Sequence, residues 1–581
     1  MALENAEAPC SEHEASMDCG SLSKPDNNNV DGMVPDVKAS GASPLPTPSA
    51  VPMVDQATDA PAPALAKPRI RVIDGALAEM VDQCEALLMS PTLAPELRVY
   101  QRGGQLVRIV ILPTATNSEG VTHQAGSVVI RAVDSVYLRD ILARLAHFER
   151  LDRRSGEYKA VDVPKQYAEA LLSRVGLWKL PQLRGVITCP TLRPDGSLLD
   201  AKGYDERSGY YLASDLKVTV PETPTREDAT DALAVLKRLF REFPFVTAVD
   251  LAVALALLLT SLVRTIVDNV PLFGISAPVR GTGKSTAIEV TAAVATGRRA
   301  ALVAATNDQD ELRKRLEAAL LAGAPLINLD NLNGVLHSDL LCQAITQSLL
   351  WIRPLGLSTQ VEVFLNTLFC VNGNNLSIAG DLARRTLMCR LDPRCERPEE
   401  RKFTGNPVNE ALADRATYVS AALTVLRAFI LAAPRLELSR FGSFEQWSDL
   451  VRSALVWAGE ADPCDSRVGI MAEDPELVAL AAVLTAWFAK FGIRAVTVQQ
   501  VLAEAGREED SDLAASVEAV ATMRGRIDAQ RFGIWCRRNM GRIAGGYKLE
   551  RADMPGASAH WRVVSDAAGV APAAGAATPD F

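Results

Sequence analysis

The chain has 581 residues, 48% hydrophobic and 23% charged, which are the proportions of a globular protein with room for about three or four domains. A formal net charge of −9 excludes a general nucleic-acid-coating role and makes any local basic patch informative. Ten cysteines without a Cys-x-x-Cys pair, and only five histidines, argue against a zinc site or a disulfide framework and for reduced thiols.

Residues 1 to about 68 are rich in Pro, Ala, Ser, Asn and Asp, and are expected to form a disordered tail. They contain no basic segment followed by an apolar core, so no secretory signal is read. An α+β N-terminal domain is expected over 69–215. Within it, Ala76–Met89 has helical spacing, and Arg98–Arg102 and Gln105–Leu112 flank Gly103-Gly104 as a hairpin. Ser135–Glu149 reads as a helix, and Pro194-Asp195-Gly196 marks a second hairpin. Turn chemistry explains Arg193, Asp195, Tyr204 and Asp205 as well as a ligand would, so they stay unassigned. Thr225–Phe243 reads as an amphipathic helix and Val249–Asn269 as a buried one. The most apolar stretch, Leu251–Val263, is bounded by Asp250 and Arg264 and is too short to cross a bilayer. A cytoplasmic location is expected.

The stretch Val270–Gly297 organises the chain. An apolar run, Pro271–Ala277, suits a buried strand; the turn Pro278-Val279-Arg280-Gly281-Thr282-Gly283-Lys284-Ser285 follows, then a small-residue helix. Strand, glycine turn with Lys-Ser and helix form the context of a P-loop. Gly281 and Gly283 let backbone N–H groups close around phosphate oxygens, and the helix N-terminus adds positive potential. Gly281, Thr282, Gly283, Lys284, Ser285 and Thr286 would cradle ATP; Lys284 reaches the β- and γ-phosphates, and the Ser285 hydroxyl is placed to ligate Mg²⁺. The leading glycine of the motif is replaced by Pro278. An ordinary glycine loop before a helix is the plain alternative.

Next come a short strand, Ala301–Thr306, and a helix, Gln309–Leu321. The run Ala324–Asn331 ends in Asp330, the Walker B pattern, whose carboxylate holds Mg²⁺ through water. Asp330 is expected on the strand adjoining that of the P-loop. Asn331 stands where many P-loop ATPases place a Glu that activates water. Either another carboxylate, Glu289 or Glu362, takes that task, or hydrolysis is slow. Phe364–Asn375 reads as a further strand tipped by amides, from which Asn374 would place the attacking water; which of Asn372, Asn374 and Asn375 faces the nucleotide is left open. Arg384-Arg385 then precede the strand Thr386–Leu391. From there an arginine can reach a neighbouring subunit's γ-phosphate, the alternative being two solvated side chains.

In series, Lys284-Ser285, Asp330-Asn331, the NGNN strand tip (Asn372–Asn375) and GDLARR (Gly380–Arg385) resemble the ATPase module of phage- and plasmid-type primase–helicases, which are similar to superfamily 3 helicases within the broad AAA+ group. The segment Pro190–Leu212 resembles the region preceding that module. The resemblance spans roughly Arg69–Pro398 and implies an α/β P-loop core, a ring of identical subunits with a hexamer favoured, and ATP-driven movement along DNA. The 68 or so residues in the place of a primase module lead us to expect no primer synthesis.

Beyond the 225–397 core, Ala416–Ala433 and Ser443–Gly459 suggest a helical lid over 398–465. In the last domain, 474–564, Pro475–Lys490, Val498–Ala505 and Asp528–Met540 read as helices. Phe532 and Trp535 would face inward. Tyr547–Arg551 and Ala559–Val564, joined through Pro555-Gly556, read as a hairpin, giving a winged-helix plan. Ala521–Val564 holds nine Arg/Lys against three Asp/Glu, a basic face in an acidic chain. Arg531, Arg537, Arg538, Arg542 and Lys548 are its DNA-binding candidates, subunit contact being the alternative role. Residues 565–581 read as a loose tail. The leading reading is an ATP-dependent DNA translocase or helicase. A DNA-binding switch that does not unwind, and an inactive remnant of a mobile element, are the alternatives.

Overall fold

The computed structural model describes residues 67–565 apart from 92, 113–114, 117–121, 124–126, 307, 354–359, 508–510, 524–525 and 555–558. Apart from residues 67, 68 and 565, both expected tails lie outside the described residues, as do the Pro555-Gly556 turn and Arg524.

Two helices precede the P-loop strand. Helix α1 (Arg226–Arg238) and helix α2 (Ala248–Val263) each start at a capping box, Thr225 with Asp228 and Thr247 with Asp250. Strand β1 (Leu272–Ala277) runs into helix α3 (Lys284–Thr296). Strand β2 (Ala301–Ala304), helix α4 (Gln309–Leu321) and strand β3 (Leu326–Leu332) follow. Strands β4 (Leu368–Asn374) and β5 (Thr386–Arg390) complete a parallel sheet of order β2-β3-β4-β1-β5. The near-continuous apolar runs of β1 and β4 fit strands covered on both faces. Small residues on α3, with Ala287, Ala292 and Ala293 at most 1% exposed, let it lie close to the sheet.

Three expectations are corrected. Asp330 is not on the strand adjoining β1, because β4 is interposed between β1 and β3. The helix read over Val249–Asn269 stops at Val263, and the strand read from Phe364 begins at Leu368. One side chain accounts for both boundaries. The buried Arg264 guanidinium donates to the carbonyls of Val267 (2.8 Å) and Asp268 (3.2 Å), closing the chain after α2. It also donates to Leu365 (2.6 Å) and Thr367 (3.1 Å), carbonyls that a longer β4 would need for its ladder. Val361–Phe364 instead pairs antiparallel with Leu349–Ile352.

Helix α5 (Arg415–Ala432) packs on α1 and α2, and its Arg415 donates to Val294 O and Ala295 O at the end of α3. It is the one described helix long and apolar enough to cross a membrane, and 56% of it is buried inside the protein. The expected Ser443–Gly459 helix runs from Glu445 to Trp457 with a π-turn at Ser448–Arg452, and Trp447 is fully buried. Residues of 398–470 share one hydrophobic core with the sheet.

On the N-terminal side, the expected helix Ser135–Glu149 ends at Leu145. His147–Leu151 is a strand because Ala146 turns extended and His147 pairs with Arg69 in parallel. The two N-terminal hairpins form as Val99–Arg102 with Gln105–Leu112 and Thr191–Leu192 with Leu198–Leu199. At the other end, helices α6 (Pro475–Phe491), α7 (Val498–Ala505), α8 (Asp512–Ala521) and α9 (Ala529–Arg538) enclose Trp487, Phe532 and Trp561. The sequence reading had omitted α8. Strands β6 (Tyr547–Ala552) and β7 (His560–Ser565) pair antiparallel beside these helices. Phe532 is buried, and the half-buried Trp535 stacks on it at 5.7 Å.

Replacing Arg264 by Met strands four carbonyls without their donor, three of them buried. A loss of about 3 kcal/mol or more is expected. Urea unfolding measures it, and a change below about 1 kcal/mol would contradict the role given to this side chain.

Candidate nucleotide site

In parallel α/β sheets the carboxyl ends of the strands open into the crevice where ligands sit. Here β1 leaves the sheet through a turn in which Gly281 (φ +73°) and Gly283 (φ +99°) adopt left-handed conformations. At Gly281 a Cβ would also stand 3.2 Å from the Glu399 backbone nitrogen. The turn is braced from within, since Thr282 Oγ1 donates to Val279 O at 2.8 Å.

Lys284 opens α3, and its ammonium donates to Val279 O (3.0 Å) and to Asn374 Oδ1 (2.7 Å). Partial burial lowers its pKa, and the nearby Asp330 carboxylate works against that shift. Ser285 Oγ donates to Asp330 Oδ1 at 3.0 Å, so the two residues meet across the top of β4. Asn372, 1% exposed, lies beneath that contact. Its Nδ2 donates to Asp330 Oδ1 (2.8 Å) and Asn328 Oδ1 (3.1 Å), while its Oδ1 accepts from the Asn331 amide (3.2 Å). The three amides thus divide their tasks. Asn372 positions Asp330, Asn374 meets Lys284, and the Asn375 backbone N–H closes the strand end on Ala277 O.

Two hard oxygen donors, the Ser285 hydroxyl and the Asp330 carboxylate, 3.0 Å apart beside a lysine, are of the kind that suits Mg²⁺ with phosphate. The residue after Asp330 has a structural reason to be Asn. Asn331 has φ +55°, a conformation that Asn tolerates better than Glu. Of the two alternative carboxylates, Glu289 lies on α3 one turn beyond Ser285 and is 8% exposed. Burial raises its pKa, and its Oε2 lacks a hydrogen-bond partner. Glu362 instead lies against the Gly103 turn.

The turn Gly380–Arg385 separates its two arginines. Arg385 is 14% exposed and donates to Cys342 O (2.9 Å) and Thr346 Oγ1 (3.2 Å), with an ion pair to Asp381 (2.6 Å). These ties fasten Arg385 to Cys342, Thr346 and Asp381 of the same chain. Arg384, paired only with Asp381, remains half exposed.

A cavity of about 400 Å³ adjoins the P-loop on the side of α1, bounded by Leu239, Phe243, Phe403 and Pro407 and by Gly281–Thr286. The sequence reading missed it because its walls come from three separate segments, one of them more than a hundred residues from the other two. It also missed the Asn328–Asn372 pair, for which a signal existed: Asn328 and Asp330, and Asn372 and Asn374, alternate with the period of two that puts both on one face.

The C-terminal basic residues divide as well. Arg531 and Arg537 are exposed, and among the described residues no side-chain hydrogen bond or ion pair is seen for either. Arg538 and Arg542 lie 3.3 and 3.6 Å from Glu476 on α6, and Lys548 lies 2.9 Å from Glu550. For Arg538 and Arg542 the count over Ala521–Val564 could not include the partner, because Glu476 lies outside that window; Glu550, the partner of Lys548, lies inside it.

No family model matches the chain, and no curated protein matches it. Among solved structures it is similar to the A-form apo structure of the NrS-1 C-terminal region, with 14% identity over 75% of this chain and 100% of that one, at a TM-score of 0.32. The SCCmec type IV Cch active helicase gives 14% identity over 75% and 96%, with a TM-score of 0.30. The JCV helicase gives 12% over 39% and 67%, with a TM-score of 0.20. The functional reading rests on the site geometry.

Asn372→Ala removes the donor that orients Asp330. The Mg²⁺ concentration for half-maximal ATP turnover is expected to rise about tenfold or more, the usual effect of losing an outer-shell partner. An unchanged Mg²⁺ dependence would deny Asn372 that positioning role.

Proposed function

We propose that the protein is an ATP-dependent DNA helicase or translocase of a phage- or plasmid-type replication system, working in the cytoplasm as a ring of identical subunits, with a hexamer favoured. The observation that carries this reading is the paired contact at the sheet edge, Ser285 with Asp330 and Lys284 with Asn374, directly over the glycine turn.

Phosphoryl transfer asks the protein mainly for positioning and charge stabilisation. Gly281–Thr286 would cradle the triphosphate. Lys284 would exchange Val279 O and Asn374 for β- and γ-phosphate oxygens, which frees the Asn374 carbonyl to orient water. Ser285 and Asp330 would hold Mg²⁺, which supplies charge neutralisation between the phosphates. Arg384, half exposed on its turn, would act on a neighbour's nucleotide. We read 69–215 as an N-terminal domain, 225–397 with the helical 398–465 as the motor, and 474–564 as a winged helix. On the last, Arg531 and Arg537 are the leading phosphate contacts, because no acidic partner holds them among the described residues.

A second reading, an ATP-controlled DNA-binding switch that does not unwind, is favoured by one observation: no carboxylate follows Asp330. Glu289, buried one turn beyond Ser285 with an unpartnered oxygen, is the substitute carboxylate we favour.

Lys284→Ala is expected to lower ATP turnover by about 100-fold or more without unfolding the chain. Turnover equal to wild type would refute the site. Strand displacement on a forked duplex separates the two readings, since a switch binds the fork without opening it. Replacing both Arg531 and Arg537 by Ala should weaken DNA binding regardless of sequence and flatten the logarithmic salt dependence by about two. An unaltered salt slope would move the DNA contact elsewhere.

A further inference from the structure

Two arginines on the N-terminal side have no task in the nucleotide site or the basic C-terminal face. They lie on an antiparallel sheet of three strands, Val99–Arg102, Gln105–Leu112 and Ser127–Ala132. The register sets Arg108 of the middle strand directly opposite Arg131 of the edge strand. Opposed residues of an antiparallel pair project from one face with Cβ atoms about 5 Å apart, and like charges at that spacing repel. Because the backbone ladder fixes the register, the two charged stems cannot drift apart as they would on a loop.

No carboxylate answers this pair. Among the described residues neither side chain forms an ion pair or a hydrogen bond, and Arg108 Nε is buried without an acceptor. Asp134, three residues after Arg131, uses its Oδ1 to cap the helix Ser135–Leu145 at Tyr137 N (2.8 Å). Tyr137 fixes Arg108 in another way, since the guanidinium carbon stands 3.6 Å from the centre of its ring. A guanidinium laid on a ring keeps edge N–H groups for an acceptor, in the planar fork that suits phosphate oxygens. Arg131 beside it is exposed, and Val136, on the first turn of the helix, is 74% exposed.

We propose that Arg108 and Arg131 form a clamp for a backbone phosphate of DNA, a second DNA contact beside that of the C-terminal face. The occupant follows from charge complementarity: two guanidiniums held side by side without an acid attract an anion, which screens their mutual repulsion. A polymer fits better than a free phosphate, because Arg131 stands exposed on an edge strand and not in an enclosing loop of backbone N–H groups. The exposed Val136 beside the pair offers apolar surface to a sugar or base next to the phosphate. That the polymer is DNA rests on the proposed function; the clamp itself does not.

Binding of the full chain to a fluorescent single-stranded oligonucleotide over a range of salt concentrations tests it, alongside urea unfolding of each variant. Arg108→Gln combined with Arg131→Ala should weaken binding about tenfold and flatten the logarithmic salt dependence by about 1.4, the share of two contacts. Replacing both by Lys, which keeps the charges, should leave the salt slope in place. Arg131→Ala alone should unfold at the same urea concentration as wild type or a higher one, because it relieves a repulsion. An arginine kept for stability would lower that midpoint, and a lower midpoint overturns the clamp. So does a salt slope unchanged in the double variant while the wild type binds DNA. Inorganic phosphate that binds the wild type but not Arg131→Ala, with DNA binding equal in both, overturns the DNA occupant. A wild-type chain that binds no DNA overturns the proposed function together with the occupant.

Discussion

Everything at the site depends on a reach across one strand. Because β4 lies between the P-loop strand and the Asp330 strand, Ser285 at the start of α3 must meet Asp330 over the end of β4. Only a strand whose tip carries small or amide side chains permits that. Gly373 shows the crowding: a Cβ there would stand 2.6 Å from Leu332 O, which is backbone and does not yield easily. The amides on either side of it, Asn372 and Asn374, then hold Asp330 from below and Lys284 from the side. The sequence Asn-Gly-Asn is therefore one device, in which glycine makes room and its neighbours fix the two charged groups.

How much of this was legible depended on the range of the interaction. The glycine turn, Lys284, Ser285 and the apolar runs of β1 and β3 are local patterns, and local patterns survive without coordinates. Strand order is not local, and nothing in the spacing of Lys284 and Asp330 says that β4 is inserted between them. The same holds for element ends. Periodicity carried the α2 helix on to Asn269 and began the amide strand at Phe364, because an arginine's effect on carbonyls a hundred residues away leaves no trace in either window. Charge counting meets the same limit at the C-terminus. A window from Ala521 onward cannot contain Glu476, which folding brings beside Arg538 and Arg542.

Asn331 shows the opposite case, where a departure from the motif has a backbone explanation. The left-handed conformation at this position is tolerated by Asn, and its amide nitrogen is used by Asn372. The residue thereby contributes to holding Asp330 instead of offering a carboxylate of its own. This does not by itself make the site inert. It moves the question of water activation to the amides and to the buried Glu289, whose Oε2 lacks a hydrogen-bond partner.

The Gly380–Arg385 turn and the basic C-terminal face are joined through the first turn of α6, and the strengths of the two joints differ. Asp474, 2% exposed, accepts from the Gly380 amide at 3.2 and 3.3 Å, a charge-assisted bond out of reach of solvent. Glu476, two residues on, holds Arg538 and Arg542 in partly exposed pairs of the kind worth about 0–1 kcal/mol each. Phosphate oxygens compete readily for the second joint and hardly at all for the first. DNA engaging Arg538 and Arg542 would therefore strip Glu476 of its partners while α6 stays fastened to the turn that carries Arg384. The unpaired Glu476 carboxylate would then lie beside Gly380, since a Cβ on that glycine would stand 3.5 Å from its oxygens. On the proposed DNA contact, a change of charge at Arg538 and Arg542 would be delivered next to the arginine turn without any long chain of intermediates, and the weaker of the two contacts would be the one to give way.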